Sequence, residues 1–366
     1  MNVFKKWSQT PAMTKPKVSR LKDVASAADV SVGSASRILR GDTGPFRSET
    51  IDRVLNAAKR LDWRRNLLVS GMQTGQTQTV GVLVPPRDSF WNSVLSGIHS
   101  QLAESDFLPI TVWLGHSDGA PPFEDDDEKG VELINRLLDR RVQGLIAWPQ
   151  IYCAYRKYFT NVVAKNTPIV VIDLYEDNLL GDSVVSADND LSAKAAEHLL
   201  QLGHRHFGCF SAEREVHSHD WSAVRERAFR EAVDRVPNTS VQTVRLDITG
   251  EGYREAEQLL SLPQRPTAIF ALTDHLAAAI YKVAGQMNLR IPEELSVVGF
   301  SDLDYAAKLS PALTTIHQQP RLIGQKAADL VLNRIRETEE RKTRFQLHEV
   351  GGWLEVRDST SPPATQ

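Results

Sequence analysis

From Thr79 onward, short β-branched runs alternate with amphipathic stretches, and the alternation is carried through twice. The runs Val80-Gly-Val-Leu-Val, Pro109-Ile-Thr-Val-Trp-Leu, Gly144-Leu-Ile-Ala-Trp and Pro168-Ile-Val-Val-Ile-Asp read as buried parallel strands, with helices near 90–105, 127–140 and 152–165 between them. A second series follows: Val184-Val-Ser, Phe207-Gly-Cys-Phe, residues 241–246, Ala268-Ile-Phe-Ala-Leu and Leu295-Ser-Val-Val-Gly-Phe, with helices near 189–202, 222–235, 251–261 and 275–287. Two such series predict a body of two α/β lobes. Open parallel sheets bind ligands at the carboxyl ends of their strands. Just past those ends lie Ser89-Phe90-Trp91, Trp148, Asp173, Asp247, Thr273-Asp274 and Ser301-Asp302. Aromatic rings stack on the apolar faces of sugars, and carboxylates take paired hydroxyls. Any one of these aromatics alone is more often core than ligand contact.

The net charge of −3 hides an asymmetry: residues 1–75 carry fourteen Lys or Arg against six Asp or Glu, and the remainder is strongly acidic. A cationic segment on an acidic body is the charge layout of a nucleic-acid-binding head, the alternative being a solvated basic tail. With 41% hydrophobic and 24% charged residues the chain is neither fibrous nor disordered. Its longest apolar runs fall short of the ~20 residues of a membrane span, and no apolar stretch follows the basic N-terminus, so a cytoplasmic protein is expected. Cys153 and Cys209 are the only cysteines, which excludes a disulfide framework or a thiolate zinc site.

Residues 1–18 read as a disordered extension. Beyond them Leu21, Val24, Ala25 and Ala28 fall at helical spacing, Asp29-Val30-Ser31 breaks the helix, and Ser31 is placed to cap a second one through Leu39. Ser48 is placed to cap a third, whose stripe is Ile51, Val54, Leu55, Ala58 and Leu61. The second helix opens with the small residues Val32, Gly33, Ser34, Ala35 and Ser36 and then Arg37. Such a face approaches another surface closely while one long cation reaches out. That suits a major groove, where Arg can pair with guanine O6 and N7; a small bundle for protein contact is the alternative.

The run Leu21-Lys-Asp-Val-Ala-Ser-Ala-Ala-Asp-Val-Ser-Val-Gly-Ser-Ala-Ser-Arg37-Ile-Leu, with Leu61-Asp-Trp-Arg-Arg-Asn66 behind it, resembles the head of the lactose-repressor and galactose-repressor (LacI/GalR) family of bacterial transcription regulators. The resemblance spans about residues 20–360, closing on Leu313-Thr-Thr-Ile-His-Gln-Gln-Pro and Glu355-Val-Arg-Asp-Ser-Thr. It implies that Val32, Gly33 and Arg37 read bases and that Ser31, Ser34 and Ser36 lie close to DNA. A hinge helix would begin at Asn66 and insert Met72, where Leu is usual, into the minor groove. Gly71 weakens that helix, and Arg64-Arg65 replaces the customary segment with Pro. In the cleft the resemblance points to Arg225, in Ser222-Ala-Val-Arg225, as the residue that grips an effector, and to Asp173 as an effector-binding Asp; Phe90, Trp91 and Trp148 are candidates from their places past strand ends, and Asp302 and Gln318 remain available beside them. Thr273 stands where Asn is usual and Ser301 where Asp is usual, which argues against a simple galactoside or glucoside.

His204-Arg-His206 and His217-Ser-His219 invite a metal reading, yet no Cys or Glu is spaced to complete a site. The acidic run 124–128 is a loop before a helix. No phosphate-binding glycine loop, nucleophile elbow or metalloprotease motif is present. The expected architecture is a helix-turn-helix head at 19–63, a hinge at 64–78, and a periplasmic-binding-protein-like body at 79–358 followed by a tail at 359–366. Lobe 1 is expected to comprise 79–180 and 318–345, and lobe 2 to comprise 181–317 and 346–358. The expected protein is a bacterial, nucleoid-associated repressor without enzymatic activity, cofactor or metal. It would bind an operator as a homodimer, make no membrane contact, and respond to a sugar or sugar derivative. A solute-binding protein of transport and a carbohydrate-processing enzyme, with Asp173 and Asp302 as its acids, are the rivals.

Overall fold

The structure, a computed structural model, describes residues 19–64, 76–84, 88–113, 128–163, 167–176, 179–212, 221–246, 252–337 and 344–364. The chain divides into two units, residues 1–77 and 78–366.

The first unit holds three helices, α1 (Leu21–Ala27), α2 (Val32–Leu39) and α3 (Ser48–Arg60). Val24, Ala35, Ile38 and Val54 close its core, and alanines at 25, 57 and 58 let such short helices approach. Helix α1 ends where Asp29 turns left-handed, at φ 53°, and the Val30 N–H reaches back to the Ala25 carbonyl at 3.0 Å. Ser31 then caps α2 as its sequence position predicts, its Oγ accepting from the Ser34 N–H at 3.0 Å. The third helix differs from expectation. Arg47 is the extended residue before it, so Ser48 is already helical and does not cap; Glu49 in the first turn meets the positive end of the helix dipole instead.

In the second unit, six strands form an all-parallel sheet: β1 (Thr79–Val84), β2 (Leu108–Trp113), β3 (Gly144–Ala147), β4 (Ile169–Ile172), β5 (Asp182–Ser186) and β11 (Leu347–Val350), in the order 11-5-4-3-1-2. The other sheet contains β6 (His206–Ala212), β7 (Ser240–Leu246), β8 (Ala268–Ala271), β9 (Ser296–Phe300), β10 (Thr314–His317) and β12 (Trp353–Glu355), in the order 12-10-9-8-6-7, with β12 antiparallel to β10. The strands β3, β4, β5, β8 and β9 are buried along their whole length; β3, β4 and β8 are unbroken runs without a polar side chain, as burial on both faces favours, while β5 and β9 also bury Asp182, Ser183, Ser186 and Ser296.

This order moves two segments across the boundary expected from sequence. Strand β5, placed above at the start of lobe 2, pairs with β4, and β11 pairs with β5; both complete lobe 1. The helix expected over 152–165 is two helices, Pro149–Ala154 and Arg156–Val163, separated at Tyr155, whose backbone leaves helical geometry at φ −111°.

The chain crosses between lobes three times, near 186–188, 317–320 and 350–353, and the crossings are tied to one another. The Ala187 N–H donates to the Val350 carbonyl at 2.9 Å, Gln318 Nε2 to Ser186 Oγ at 2.6 Å, and Gln319 Nε2 to the Gly351 carbonyl at 2.9 Å. Gly352 lies so near the His317 carbonyl oxygen that a β-carbon would stand 2.3 Å from it.

Candidate functional site

On α2 the buried residues are Ala35 and Ile38, which face α1 and α3; Ser31, Val32, Gly33 and Arg37 are exposed, and Ser34 and Ser36 are half-buried. Val32 leaves 48% of its surface in solvent. An apolar side chain exposed at the first turn of a helix, with no part in the core, is available to a partner surface. Arg37 is not a free cation. Its Nε donates to Asp42 Oδ2 at 2.8 Å and its guanidinium lies 5.4 Å from the centre of the Phe46 ring. Asn66 and Met72 lie outside the described residues.

The second site sits where the carboxyl ends of the two sheets face each other. At one edge Asp88, which caps the helix Ser89–Glu104 (α4) by accepting from the Trp91 N–H, also takes a bond from His275 Nε2 at 3.4 Å. Tyr305 closes the other side of that imidazole, its hydroxyl 3.0 Å from Nδ1. Burial pushes the Asp88 carboxyl up, but His275 and the backbone N–H groups of Trp91 and Phe90 outweigh it and hold the pKa below its ordinary value. Leu303, on the loop after β9, packs into the core of lobe 1.

The inner wall is built around Arg225. This residue lies on the helix Trp221–Asp234 (α9) and is only 3% exposed. Its Nε donates to Asp188 Oδ2 at 3.0 Å and its Nη1 to the Leu272 carbonyl at 2.9 Å. The guanidinium carbon lies over two rings, 3.7 Å from the centre of Phe300 and 4.5 Å from that of Trp221. Asp188, the first residue of the helix Asp188–Gln201 (α8), is fully buried, and among the described residues its Oδ1 has no hydrogen-bond partner. Burial drives its carboxyl up, against the lowering pull of Arg225. Tyr175 approaches from lobe 1, its hydroxyl donating to the Ser186 carbonyl at 2.5 Å. Burial, with Asp188 and then Asp173 nearby, pushes its phenol far above the ordinary range.

The residues expected in the cleft divide by what holds them. Asp173 is buried in the left-handed conformation, φ 66°, just past β4, and belongs to the Arg225 cluster through Tyr175. Phe90, Trp91 and Trp148 pack edge to face, with centroids 5.4 and 6.1 Å apart, and are buried in the lobe 1 core at the strand ends. Thr273 follows the carbonyl that Arg225 grips, and its hydroxyl caps the helix Asp274–Gln286 (α11). Ser301, next to Phe300, sits at φ 120°. Asp302 is turned to the lobe crossings, accepting from His317 Nδ1 at 2.8 Å and from Arg357 Nη2 at 2.7 Å. Gln318 is spent on Ser186 across the crossings. Asp247 lies outside the described residues. Sequence reading missed Asp188, Tyr175, Trp221 and Phe300. The one signal available was the pair Asp188 and Asp190 opening a helix after a strand, which reads equally as dipole compensation.

Among the described residues no group of three His, Cys, Asp or Glu is placed to hold a metal ion, and no helix is long and apolar enough to cross a membrane. His204 is held instead by Thr267 Oγ1 at 2.8 Å and the Ser361 carbonyl at 2.9 Å, and His206 by Ser240; His217 and His219 lie outside the described residues.

A three-helix unit with an exposed capped helix, in one chain with a two-sheet body that buries an arginine near its crossings, defines the class of ligand-responsive, DNA-binding regulators. Residues 20–66 match the model of the bacterial regulatory proteins of the lacI family, and residues 196–360 match the periplasmic binding protein-like domain. The chain thus carries a LacI-family helix-turn-helix domain ahead of a periplasmic-binding-protein-like body, the make-up of a DNA-binding transcriptional repressor that responds to a ligand. It is 26% identical over 344 residues to the HTH-type transcriptional repressor PurR of Aliivibrio salmonicida, covering 90% of this chain and 96% of that one. It is also similar to a LacI family transcriptional regulator from Enterococcus faecium solved with bound ribose, at 26% identity and a TM-score of 0.63, over 78% of this chain and 99% of that one. The lac repressor dimer bound to operator and the anti-inducer ONPF shares the fold, with a TM-score of 0.75 at 20% identity over 94% of this chain and 100% of that one.

Proposed function

We propose that this repressor binds a pseudo-palindromic operator as a homodimer, reads bases with Val32, Gly33 and Arg37, and answers to a sugar or sugar derivative seated between its lobes against Arg225. The observation that carries the ligand reading is the Arg225 cluster: a guanidinium against two aromatic rings, with a carboxylate beside it, at the carboxyl ends of two facing sheets. Planar apolar surface next to fixed donors and acceptors is what a polyhydroxylated ring requires. The ribose-bound relative supports the same chemistry. Twofold protein symmetry calls for matched half-sites, and residues 1–18 and 64–78 flank the reading head as extension and hinge.

The protein works in the cytoplasm, at the nucleoid, and returns its ligand unchanged. A ligand alters operator occupancy only through different affinities for the DNA-competent and incompetent states. A gel shift on upstream DNA at rising salt, paired with thermal shifts over a panel of sugars, tests both halves. Salt-sensitive binding of one duplex and a rise in melting temperature with one sugar are the expected results. A protein that shifts no DNA yet binds sugar is a solute-binding protein, and one that converts the sugar is an enzyme.

A further inference from the structure

The donor and acceptor arrangement around Arg225 distinguishes among sugars, an inference that rests on the cleft reading just given. Arg225 commits Nε to Asp188 Oδ2 and Nη1 to the Leu272 carbonyl; its hydrogen bonds to described residues leave Nη2 unused. Asp188 commits only Oδ2, and its Oδ1 is an acceptor in a residue with no exposed surface. Tyr175 interacts with the Asp188 carboxyl as well as donating to the Ser186 carbonyl at 2.5 Å, yet Oδ1 itself has no hydrogen-bond partner among the described residues. A buried carboxylate oxygen without a donor is costly and calls for a partner. The unused atoms of the pair are therefore one donor, on Arg225, and one acceptor, on Asp188. A hydroxyl is the group that serves both, accepting from the guanidinium and donating to the carboxylate. Carboxylate and phosphate oxygens only accept, and would face Asp188 Oδ1 lone pair to lone pair.

Net charge points the same way. Arg225 is shared with Asp188, Asp173 acts on the same Tyr175 hydroxyl, and Glu349 adds its field at Asp188. Arg357 and Arg334 do not compensate, since each is bound to a carboxylate of its own, Asp302 and Asp182. We infer that Asp188 is a specificity residue: it receives a hydroxyl proton from the effector, so the cleft selects a neutral or amine-bearing sugar and rejects the corresponding acid or phosphate.

The test titrates the full chain, by calorimetry and thermal shift, with D-ribose, D-glucose, D-glucosamine, D-glucuronate and D-ribose 5-phosphate. The expected result is that a neutral or amino sugar binds at least about tenfold more tightly than its anionic counterpart. Asp188→Asn keeps an oxygen for Arg225 but puts an amide donor where the free acceptor was and removes a charge. It should weaken the neutral sugar about tenfold and bring the anionic one within about threefold of it. A residue that merely anchors Arg225 would weaken every sugar alike and leave the ratio between them unchanged; that outcome overturns the inference. So does a wild-type protein that prefers the acid or phosphate, a measurement needing no variant, and in that case the sugar reading of the cleft stands. Binding of none of the five overturns both.

Discussion

Gly97 and Gly324 meet where α4 crosses the helix Pro320–Arg336. A β-carbon on Gly97 would stand 2.0 Å from the Arg321 carbonyl oxygen, and one on Gly324 2.0 Å from the Val94 carbonyl oxygen. The neighbours on both sides are backbone, which cannot rotate away.

Either glycine replaced by alanine should therefore destabilise lobe 1 by about 2–3 kcal/mol, overpacking outweighing the ~1 kcal/mol that alanine adds to helix propensity. Gly285 is the control. Near the end of α11 a β-carbon there would meet nothing within 4 Å, so Gly285→Ala should raise stability by about 0.5–1 kcal/mol. Urea unfolding of the three variants checks the opposite signs; equal stability of Gly324→Ala and wild type would mean the helices can separate.

Arg334, on the same long helix, makes a two-point bond to Asp182, with Nε to Oδ2 at 2.7 Å and Nη2 to Oδ1 at 2.8 Å, and both side chains are nearly buried. Asp182→Ala strands the guanidinium and should cost about 3–5 kcal/mol, whereas Asp182→Leu combined with Arg334→Met should recover much of that loss. Denaturant midpoints decide it. A double variant as unstable as the single one would show that packing around the pair, not its charge, holds β5 to the helix.

Asp42 holds Arg37 in the head with an exposed ion pair, so base contact requires an exchange of partners. Arg37→Ala should reduce discrimination at one operator base pair by about 1–3 kcal/mol while leaving ligand binding unchanged. Asp42→Asn should tighten binding to operator and non-operator duplexes together. Binding to a set of single-base operator variants reads both effects; an unchanged preference in Arg37→Ala would remove this residue from the reading face.

Arg225→Ala should abolish the ligand-induced change in operator binding while operator affinity without ligand stays near wild type. It should also lower stability, because Asp188 then lies buried without its cation. A gel shift titrated with the effector, run well below the variant's melting temperature, separates the two consequences. A normal response curve would exclude Arg225 from the ligand site.

Burial lifts the Asp274 carboxyl to about 6, against its bonds from Thr315 Oγ1 at 2.6 Å and the Leu303 N–H at 2.7 Å. The unfolded chain loses this proton near pH 4 and the folded one near pH 6. Below pH 4 both hold it; as the pH rises through this window the folded state retains more protons, so the stabilising contribution is lost. Between pH 4 and 6 wild type should lose up to about 1.4 kcal/mol per pH unit relative to Asp274→Asn. Unfolding curves of both proteins at four pH values give the difference, and parallel profiles would place the carboxyl at its ordinary value.

What the sequence disclosed follows from which forces are local. Ser31, Val32 and Arg37 were legible because capping and helical periodicity act over a few residues, and they fall on the expected surface of α2. Arg225 was legible as a basic residue within a recognisable segment. Its partner Asp188 was not, because their 37-residue separation in sequence closes only when α8 and α9 pack side by side. The assignment of β5 and β11 failed for the same reason: Leu347 pairs with Ser183, and periodicity carries no information on which strand lies beside which. Phe90, Trp91 and Trp148 show the reverse limit, since position past a strand end does not tell a ring that faces a ligand from one that faces its neighbours.

Lobe 1 is begun at Thr79 but takes its long helix from 320–336 and its edge strand β11 from 347–350. During synthesis the ribosome thus releases the whole of the first sheet's early strands long before the pieces that seal them. Until that helix emerges, the core that Ile98 shares with Ala327, Ala328 and Val331 stays incomplete, so the earliest-made half of the body cannot close until most of the chain has been made. A nonsense change near residue 318 would accordingly spoil the beginning of the body as well as its end.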